Sequence, residues 1–375
     1  MGKIYTALGL MSGTSGDGVD VSIISSDGVD QYSEITNRYF KYDEKIYENL
    51  HNLRNKIIKS EDIIKNEKEI NALEREITLF HAKIVNNILT SINDNINFIG
   101  FHGQTIYHNS LEKISKQLGD GNLLSQLTNK IVIFNFRQND IKHEGEGAPL
   151  APIFHRLIAK QKNIKLPVCV LNIGGIANFT AIDKYNRNNF TSRDLGPGNC
   201  LIDEWVRNKT KNRFDKNGDI ANKGKINKII LNQALDNFYE RLNQNKSSFD
   251  TKDFSLGFVR GLSLEDGAAT LTDFSAQIIA EGLLTFLSKT KKKSYRVLVC
   301  GGGRKNNFLL ERIKKRIKKN FIIKLIDKYE IDGDYVESQA FAYLAIRSFL
   351  KLPISFPSTT GCKEPITGGT LVKNF

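Results

Sequence analysis

Ile4-Tyr5-Thr6-Ala7-Leu8-Gly9-Leu10-Met11-Ser12-Gly13-Thr14-Ser15-Gly16-Asp17-Gly18-Val19-Asp20-Val21-Ser22-Ile23 reads as a strand, a glycine-rich turn and a second strand. The first apolar run breaks at Ser12–Gly18, and Val19, Val21 and Ile23 then alternate with polar residues, the period of a strand. Glycine in such a turn takes positive φ and lets successive backbone N–H groups converge on an anion, while Thr14 and Ser15 add hydroxyl donors. The chain has no GxxxxGK[ST] segment, no GxGxxG opening a helix after the first strand, and no GxSxG elbow. P-loop, Rossmann and serine-hydrolase readings therefore fall away.

Two further turns of this kind follow strands downstream. Asp194-Leu195-Gly196-Pro197-Gly198-Asn199 is one, and Gly301-Gly302-Gly303, after the strand Arg296 to Cys300, is the other. Between them, Val168 to Ile173, Gly174-Gly175 and Ile176 to Ile182 repeat the opening pattern of strand, glycine turn and strand. Two readings stand on pattern alone: a duplicated domain, or two ordinary hairpins. A third strand is expected near Tyr39, two helices over residues 44–92 with the second covering Ile70 to Ile92, and a short strand Asn97 to Phe101 ending at His102. A strand near Phe321 to Ile326 and a helix Glu337 to Leu350 complete an α/β pattern.

At 375 residues the chain exceeds the length at which single cores divide, so two domains are expected. Its 40% hydrophobic and 25% charged residues exclude disorder and fibrous repeats, and no apolar run is long enough to span a membrane. The first residues carry one base, Lys3, and read as a strand rather than an export signal. The net charge of +13 is dispersed, with local runs at Lys289 to Lys293 and Glu311 to Lys319. In the second run Leu309, Leu310, Ile313 and Ile317 recur at helical spacing, so its lysines read as a solvated helix face; an anionic partner is the other reading, and nothing supports nucleic acid. Cys169, Cys200, Cys300 and Cys362 form no CxxC pair and fit a reduced, cytoplasmic setting; the six histidines show no metal-ligand spacing.

Gly9 to Asp20 closely resembles the opening of the anhydro-N-acetylmuramic acid kinases, members of the actin, heat-shock ATPase and sugar-kinase superfamily. The resemblance continues in family order through His102 to His108, Phe136 to Ile141, Gly147 to Pro152, Leu171 to Asn178, Asp194 to Asn199, Cys300 to Gly303 and Glu337 to Ala342. It implies a two-domain actin-like ATPase fold, ribonuclease H-like and duplicated, with a central nucleotide and sugar cleft. The expected division is residues 1–135 plus 351–375 against 136–350. It implies ATP and Mg2+, an anhydro amino sugar as substrate, no membrane partner and a homodimer.

Residue by residue, the resemblance makes Gly13, Thr14, Ser15, Gly16, Asp17, Gly18, Val19 and Asp20 the ATP phosphate hairpin, with Gly196, Gly198, Gly301, Gly302 and Gly303 also on the nucleotide. Asp17 either holds Mg2+ through water or caps the turn. Thr105, Arg137 and Glu337 look like sugar contacts, and Asp194 like the catalytic base. Four departures stand out. Gly16 replaces a large apolar residue, which should loosen the turn; Asn135 replaces an Asp; Glu144 and Glu146 place two carboxylates beside the sugar site; and the block at Asp250 to Phe254 is poorly kept. Gly18 is expected to leave room for a phosphate. A sugar kinase acting on a free hydroxyl, or a wall-fragment sensor without catalysis, are the alternatives.

Overall fold

The computed structural model describes residues 2–92, 94–185, 190–242, 248–288, 295–317 and 321–375. The chain forms two compact units, Met1–Ile164 with Tyr335–Phe375, and Lys165–Asp334.

In the first unit, β1 (Tyr5–Ser12), β2 (Gly18–Ser26) and β3 (Tyr32–Lys41) form an antiparallel meander. The next strands are β4 (Phe98–Asn109), β5 (Ile114–Leu118) and β6 (Ile131–Phe134). β4 runs parallel to β1 and β6 parallel to β4, giving the order β6-β4-β1-β2-β3. β4 does not stop at His102 as expected; it continues and turns back into β5. One face carries the helices Glu44–Lys56, Glu61–Lys65 and Glu67–Leu89, three where two are expected, and buries Leu50, Leu53, Ile77 and Val85 against Leu8, Leu10 and Val21. Alternate residues of a strand face opposite sides, so Gly9 points the other way. There the helix Val336–Phe349 comes so close that a Cβ on Gly9 would lie 2.0 Å from the Ser338 carbonyl oxygen, and one on Gly100 would lie 2.3 Å from that of Phe341.

The second unit repeats this plan. β7 (Val168–Ile173), β8 (Ile176–Ile182) and β9 (Phe190–Pro197) are an antiparallel meander. β10 (Tyr295–Cys300) runs parallel to β7, and β11 (Phe321–Leu325) parallel to β10. The order β11-β10-β7-β8-β9 matches β6-β4-β1-β2-β3 strand for strand and sense for sense. The repeat left open by the pattern is thus a duplicated unit, not a pair of unrelated hairpins. The first sheet has two strands beyond this match: β5, which pairs with β4, and β12 (Thr370–Val372), antiparallel on β6, which no sequence signal anticipates.

The units divide elsewhere than expected. Residues 136–164 and 335–350, assigned from sequence to the second domain, belong to the first unit. The reason is packing: the helix Val336–Phe349 is seated on β1 and β4 at Gly9 and Gly100, and Tyr343 donates to the Gly28 carbonyl at 3.0 Å. Of the two basic runs, Lys289 to Lys293 lies outside the described residues, as do Lys318 and Lys319 of the second. In the helix Asn307–Arg316, Leu309, Leu310 and Ile313 are buried while Arg312 and Arg316 bind the buried Asp273 at 2.6 and 2.7 Å. Cys169, Cys300 and Cys362 are buried and Cys200 half-buried, all as free thiols.

Candidate active site

In open α/β sheets ligands sit at the carboxyl ends of the parallel strands, and both units place their glycine turns there. In the first unit the β1–β2 turn is held from below by its carbonyl groups. Gly13 O accepts from Gly16 N at 3.1 Å and from Gln104 Nε2 at 3.0 Å. Thr14 O accepts from Arg54, Ser15 O lies 3.1 Å from His51 Nε2, and Asp17 O accepts from Tyr42 N at 3.0 Å and Tyr39 Oη at 3.1 Å. In a trans peptide the C=O and the following N–H point in opposite directions, so anchoring these carbonyls turns the Thr14 and Ser15 amides outward. Outward amides in a glycine turn form a nest for an anion.

Gly16 does not loosen this turn. It sits buried at φ +62, and a Cβ there would lie 2.7 Å from Leu50 Cδ2, so the missing side chain is what lets the helix Glu44–Lys56 close on the turn. Gly18 also serves a different purpose from the one expected. A Cβ there would meet the Phe40 carbonyl oxygen at 2.4 Å and the Tyr39 hydroxyl at 2.6 Å, so glycine makes room for β3. The Asp17 carboxylate accepts from Ser15 Oγ at 2.5 Å. Val19 is buried in the core, and Asp20 pairs with Met11 across the hairpin.

Of the sugar-contact candidates of this unit, Arg137 is held by a buried histidine. Burial, aided by the Arg137 charge, lowers the His102 pKa to about 3, so its ring is neutral. Nδ1 then donates to the Gly103 carbonyl at 2.8 Å, and Nε2 accepts from Arg137 Nη2 at 3.0 Å. Arg137 Nη1 reaches Gly147 O at 3.4 Å, and the Gly147 amide donates to the buried Asp140 at 2.7 Å. Asp140 accepts in turn from Thr360 Oγ1 at 2.7 Å. Thr105 Oγ1 accepts from Gln117 Nε2 at 3.2 Å. Glu337 begins the helix Val336–Phe349, one turn before Phe341, whose ring lies 4.5 Å from that of His102 and 5.3 Å from that of Phe136.

The two departures in the next loop part company. Glu144 is exposed and ion-paired with Lys363 at 2.7 Å, whose hydrogen bond and charge lower its pKa; it is a surface residue, not a second carboxylate at the sugar site. Glu146 is half-buried and directly precedes Gly147. Asn135 takes φ +54, a left-handed conformation Asn tolerates better than most residues.

In the second unit three turns meet at one sheet edge. Gly198 N and Asn199 N donate to Gly175 O and Gly174 O, both at 2.8 Å, so the β7–β8 turn supports the Asp194 to Asn199 segment. A Cβ on Gly198 would lie 2.3 Å from Gly174 O, and one on Gly303 would lie 2.3 Å from Ile173 Cγ2. Gly196, at φ +151, packs beneath Ile278. Gly301 takes φ +79 over the Asn172 side chain, while Gly302 has open space where a Cβ would stand. Arg304 anchors the last turn: it donates to Gly301 O at 3.2 Å and pairs with Asp327 at 2.9 Å and with Asp334 at 2.5 Å. Burial is the largest influence and pushes the Asp327 and Asp334 carboxyls up, but the hydrogen bonds and charge of Arg304, joined at Asp334 by Lys305, together outweigh it and hold both below the ordinary range.

Asp194 is half-buried beside Asn178, and its Oδ2 accepts the Phe249 amide at 2.9 Å. That donor stands at the head of the poorly kept block. Asp250 there caps the short helix Thr251–Asp253 reciprocally with Asp253, so a different set of residues still makes an ordered loop beside the carboxylate. Sequence reading missed the Phe249 amide, the support from Gly174 and Gly175, and the Arg54 and His51 anchors. Only Gly174-Gly175 carried a signal, as the second copy of the opening pattern. Among the described residues no group of three or more His, Cys, Asp or Glu could hold a metal by itself. Asp17, in the β1–β2 turn, offers a hard oxygen donor of the kind that suits Mg2+.

Two sheets of one topology, each with glycine turns at the carboxyl ends of its strands, define a duplicated, ribonuclease H-like α/β fold of the actin-like class. Residues 5–374 match the family model described as anhydro-N-acetylmuramic acid kinase. The anhydro-N-acetylmuramic acid kinase of Pelagibacter ubique (strain HTCC1062) is 57% identical over 100% of both chains. That of Zymomonas mobilis (strain ATCC 31821 / ZM4 / CP4) is 38% identical over 97% of this chain and 99% of its own. Among solved structures, the activator of the 2-hydroxyisocaproyl-CoA dehydratase from Clostridium difficile with bound ADPNP matches at a TM-score of 0.42, with 11% identity over 91% of this chain and 94% of that one. The chain belongs to the anhydro-N-acetylmuramic acid kinase family and is an enzyme, a kinase of an amino sugar. No described helix is long and apolar enough to cross a membrane.

Proposed function

We propose that the enzyme opens 1,6-anhydro-N-acetylmuramic acid with water and phosphorylates its 6-oxygen from ATP, giving N-acetylmuramic acid 6-phosphate and ADP in cell-wall recycling. The observation that carries the reading is full-length membership of a family whose acceptor is an anhydro sugar. In such a sugar the 6-oxygen is already bonded to the anomeric carbon. Phosphorylation there requires that the internal ether break, and water supplies the replacement oxygen.

Asp194 takes the proton of that water as it attacks the anomeric carbon; the bond from that carbon to the 6-oxygen breaks, and the 6-oxygen takes the γ-phosphoryl group as the bond to ADP cleaves. One carboxylate oxygen already accepts the Phe249 amide, which fixes the plane in which the carboxylate can receive the proton. Phosphoryl transfer needs positioning and charge stabilisation more than covalent help. The Thr14 and Ser15 amides serve the phosphates, and the Gly301 to Gly303 turn serves the nucleotide. Asp17 would hold Mg2+ through water, and the ion would supply charge neutralisation. Arg137, aimed by the neutral His102, and Thr105 and Glu337 hold the sugar. A cytoplasmic homodimer completes the proposal.

A coupled ADP-release assay separates this reading from a kinase of free hydroxyls. ADP is expected with the anhydro sugar and not with N-acetylmuramic acid. Faster release with the open sugar, or sugar binding with no ADP from either, would overturn it.

A further inference from the structure

The helix Glu44–Lys56 carries no glycine motif and no residue of the proposed site, yet three of its side chains converge on the phosphate turn. Leu50 fills the space that Gly16 leaves, approaching to 2.7 Å of where a Cβ would stand. One residue on, His51 Nε2 lies 3.1 Å from Ser15 O, and its ring packs against that of Tyr47, centroids 4.3 Å apart and planes tilted by 55°. Arg54, one turn after Leu50 on the same face, donates from Nη1 to Thr14 O. The helix itself is firmly set: Asp43 caps its start through the Ile46 amide at 2.8 Å, and Ile46, Leu50 and Leu53 are buried.

We propose that Arg54, with His51 beside it, is a positioning residue for ATP: it pins the Thr14 carbonyl, thereby aims the Thr14 and Ser15 amides at the phosphates, and brings a full positive charge to the turn. The proposal rests on the reading of that turn as the phosphate site. A guanidinium is suited to the task because its charge is permanent and its N–H groups are rigidly placed. Gly16 is the companion feature, since at φ +62 any side chain would strain the turn, and a Cβ there would press on the Leu50 Cδ2 methyl at 2.7 Å.

The test compares Michaelis constants for the two substrates. Arg54→Met keeps the apolar stem but removes charge and donor. It should raise the ATP constant about tenfold, the loss expected of one charge-assisted hydrogen bond, while the sugar constant moves less than about twofold. Arg54→Lys should recover part of the loss, because the charge returns without the fork. Gly16→Ala, which leaves Arg54 intact, should show the same ATP-selective defect and serves if Arg54→Met folds poorly. Hydrogen exchange of residues 13–20 in the wild-type enzyme, with and without Mg2+ and a non-hydrolysable ATP analogue, supplies the control. Protection there with an unchanged ATP constant in Arg54→Met, or with both constants rising together, would overturn the role of Arg54. No protection in the wild type would overturn the phosphate reading of the turn and this proposal with it.

Discussion

Asp194→Asn is expected to bind ATP and the anhydro sugar with near wild-type affinity and to lose at least about 1,000-fold in turnover. The substitution is informative because it changes charge and little else. Asn keeps an oxygen that can accept the Phe249 amide, now 2.9 Å from Oδ2, so the loop 249–253 has no reason to move. The backbone is held independently, by β8 and by the two hydrogen bonds from Gly198 and Asn199 to the Gly174-Gly175 turn. What disappears is the capacity to take a proton from water. A thousandfold loss is about 4 kcal/mol of transition-state stabilisation, the scale of an essential base; a tenfold loss would be only about 1.4 kcal/mol and would mean that Asp194 merely orders its surroundings.

The second large effect concerns pH. All six histidines of the chain lie in the first unit, and four of them, His81, His102, His108 and His155, are buried. Desolvation lowers His81 to about 4, His102 to about 3 and His155 to about 4, from an ordinary 6.5. The unfolded chain therefore binds protons that the folded unit refuses. Stability from this source is complete above pH 6.5 and is lost as pH falls through the window from 6.5 toward 4. At pH 5 each histidine contributes a loss on the order of 2 kcal/mol, so the three together approach the whole stability of an ordinary domain. Urea unfolding between pH 7 and 5 should show a midpoint that falls steeply. Hydrogen exchange at pH 5 should open the first unit before the second, and His155→Leu should flatten the slope by about one proton. A second unit that opens first, or a midpoint independent of pH, would show that these rings are not held neutral by folding.

Much of the arrangement could be read from the residues, and the reasons are physical. A glycine turn between two apolar strands has few conformations open to it, which is why Gly13 to Gly18, Gly174-Gly175 and Gly301 to Gly303 all fall at strand ends. The seating of the helix Val336–Phe349 was not legible in this way. It depends on the absence of side chains at Gly9 and Gly100, and a glycine inside a strand says that something comes close without saying what. Gly16 is illegible for the same reason: a glycine in a turn does not announce that a side chain distant in sequence, here Leu50, packs over it. Backbone donors are silent in a sequence, so nothing marked the Phe249 amide as the partner of Asp194. Glu144 was placed at the site by its neighbours in the chain, but Lys363, far away in sequence, draws it to the surface.

The central claim is that water opens the sugar and the sugar's own 6-oxygen carries the phosphate. Turnover in oxygen-18 water with unlabelled ATP, followed by mass spectrometry of the product, tests it most directly. One heavy oxygen is expected on the anomeric hydroxyl and none in the phosphate ester. Heavy oxygen in the ester, or a labelled, ring-opened sugar formed without ATP, would contradict the mechanism even if kinase activity stood.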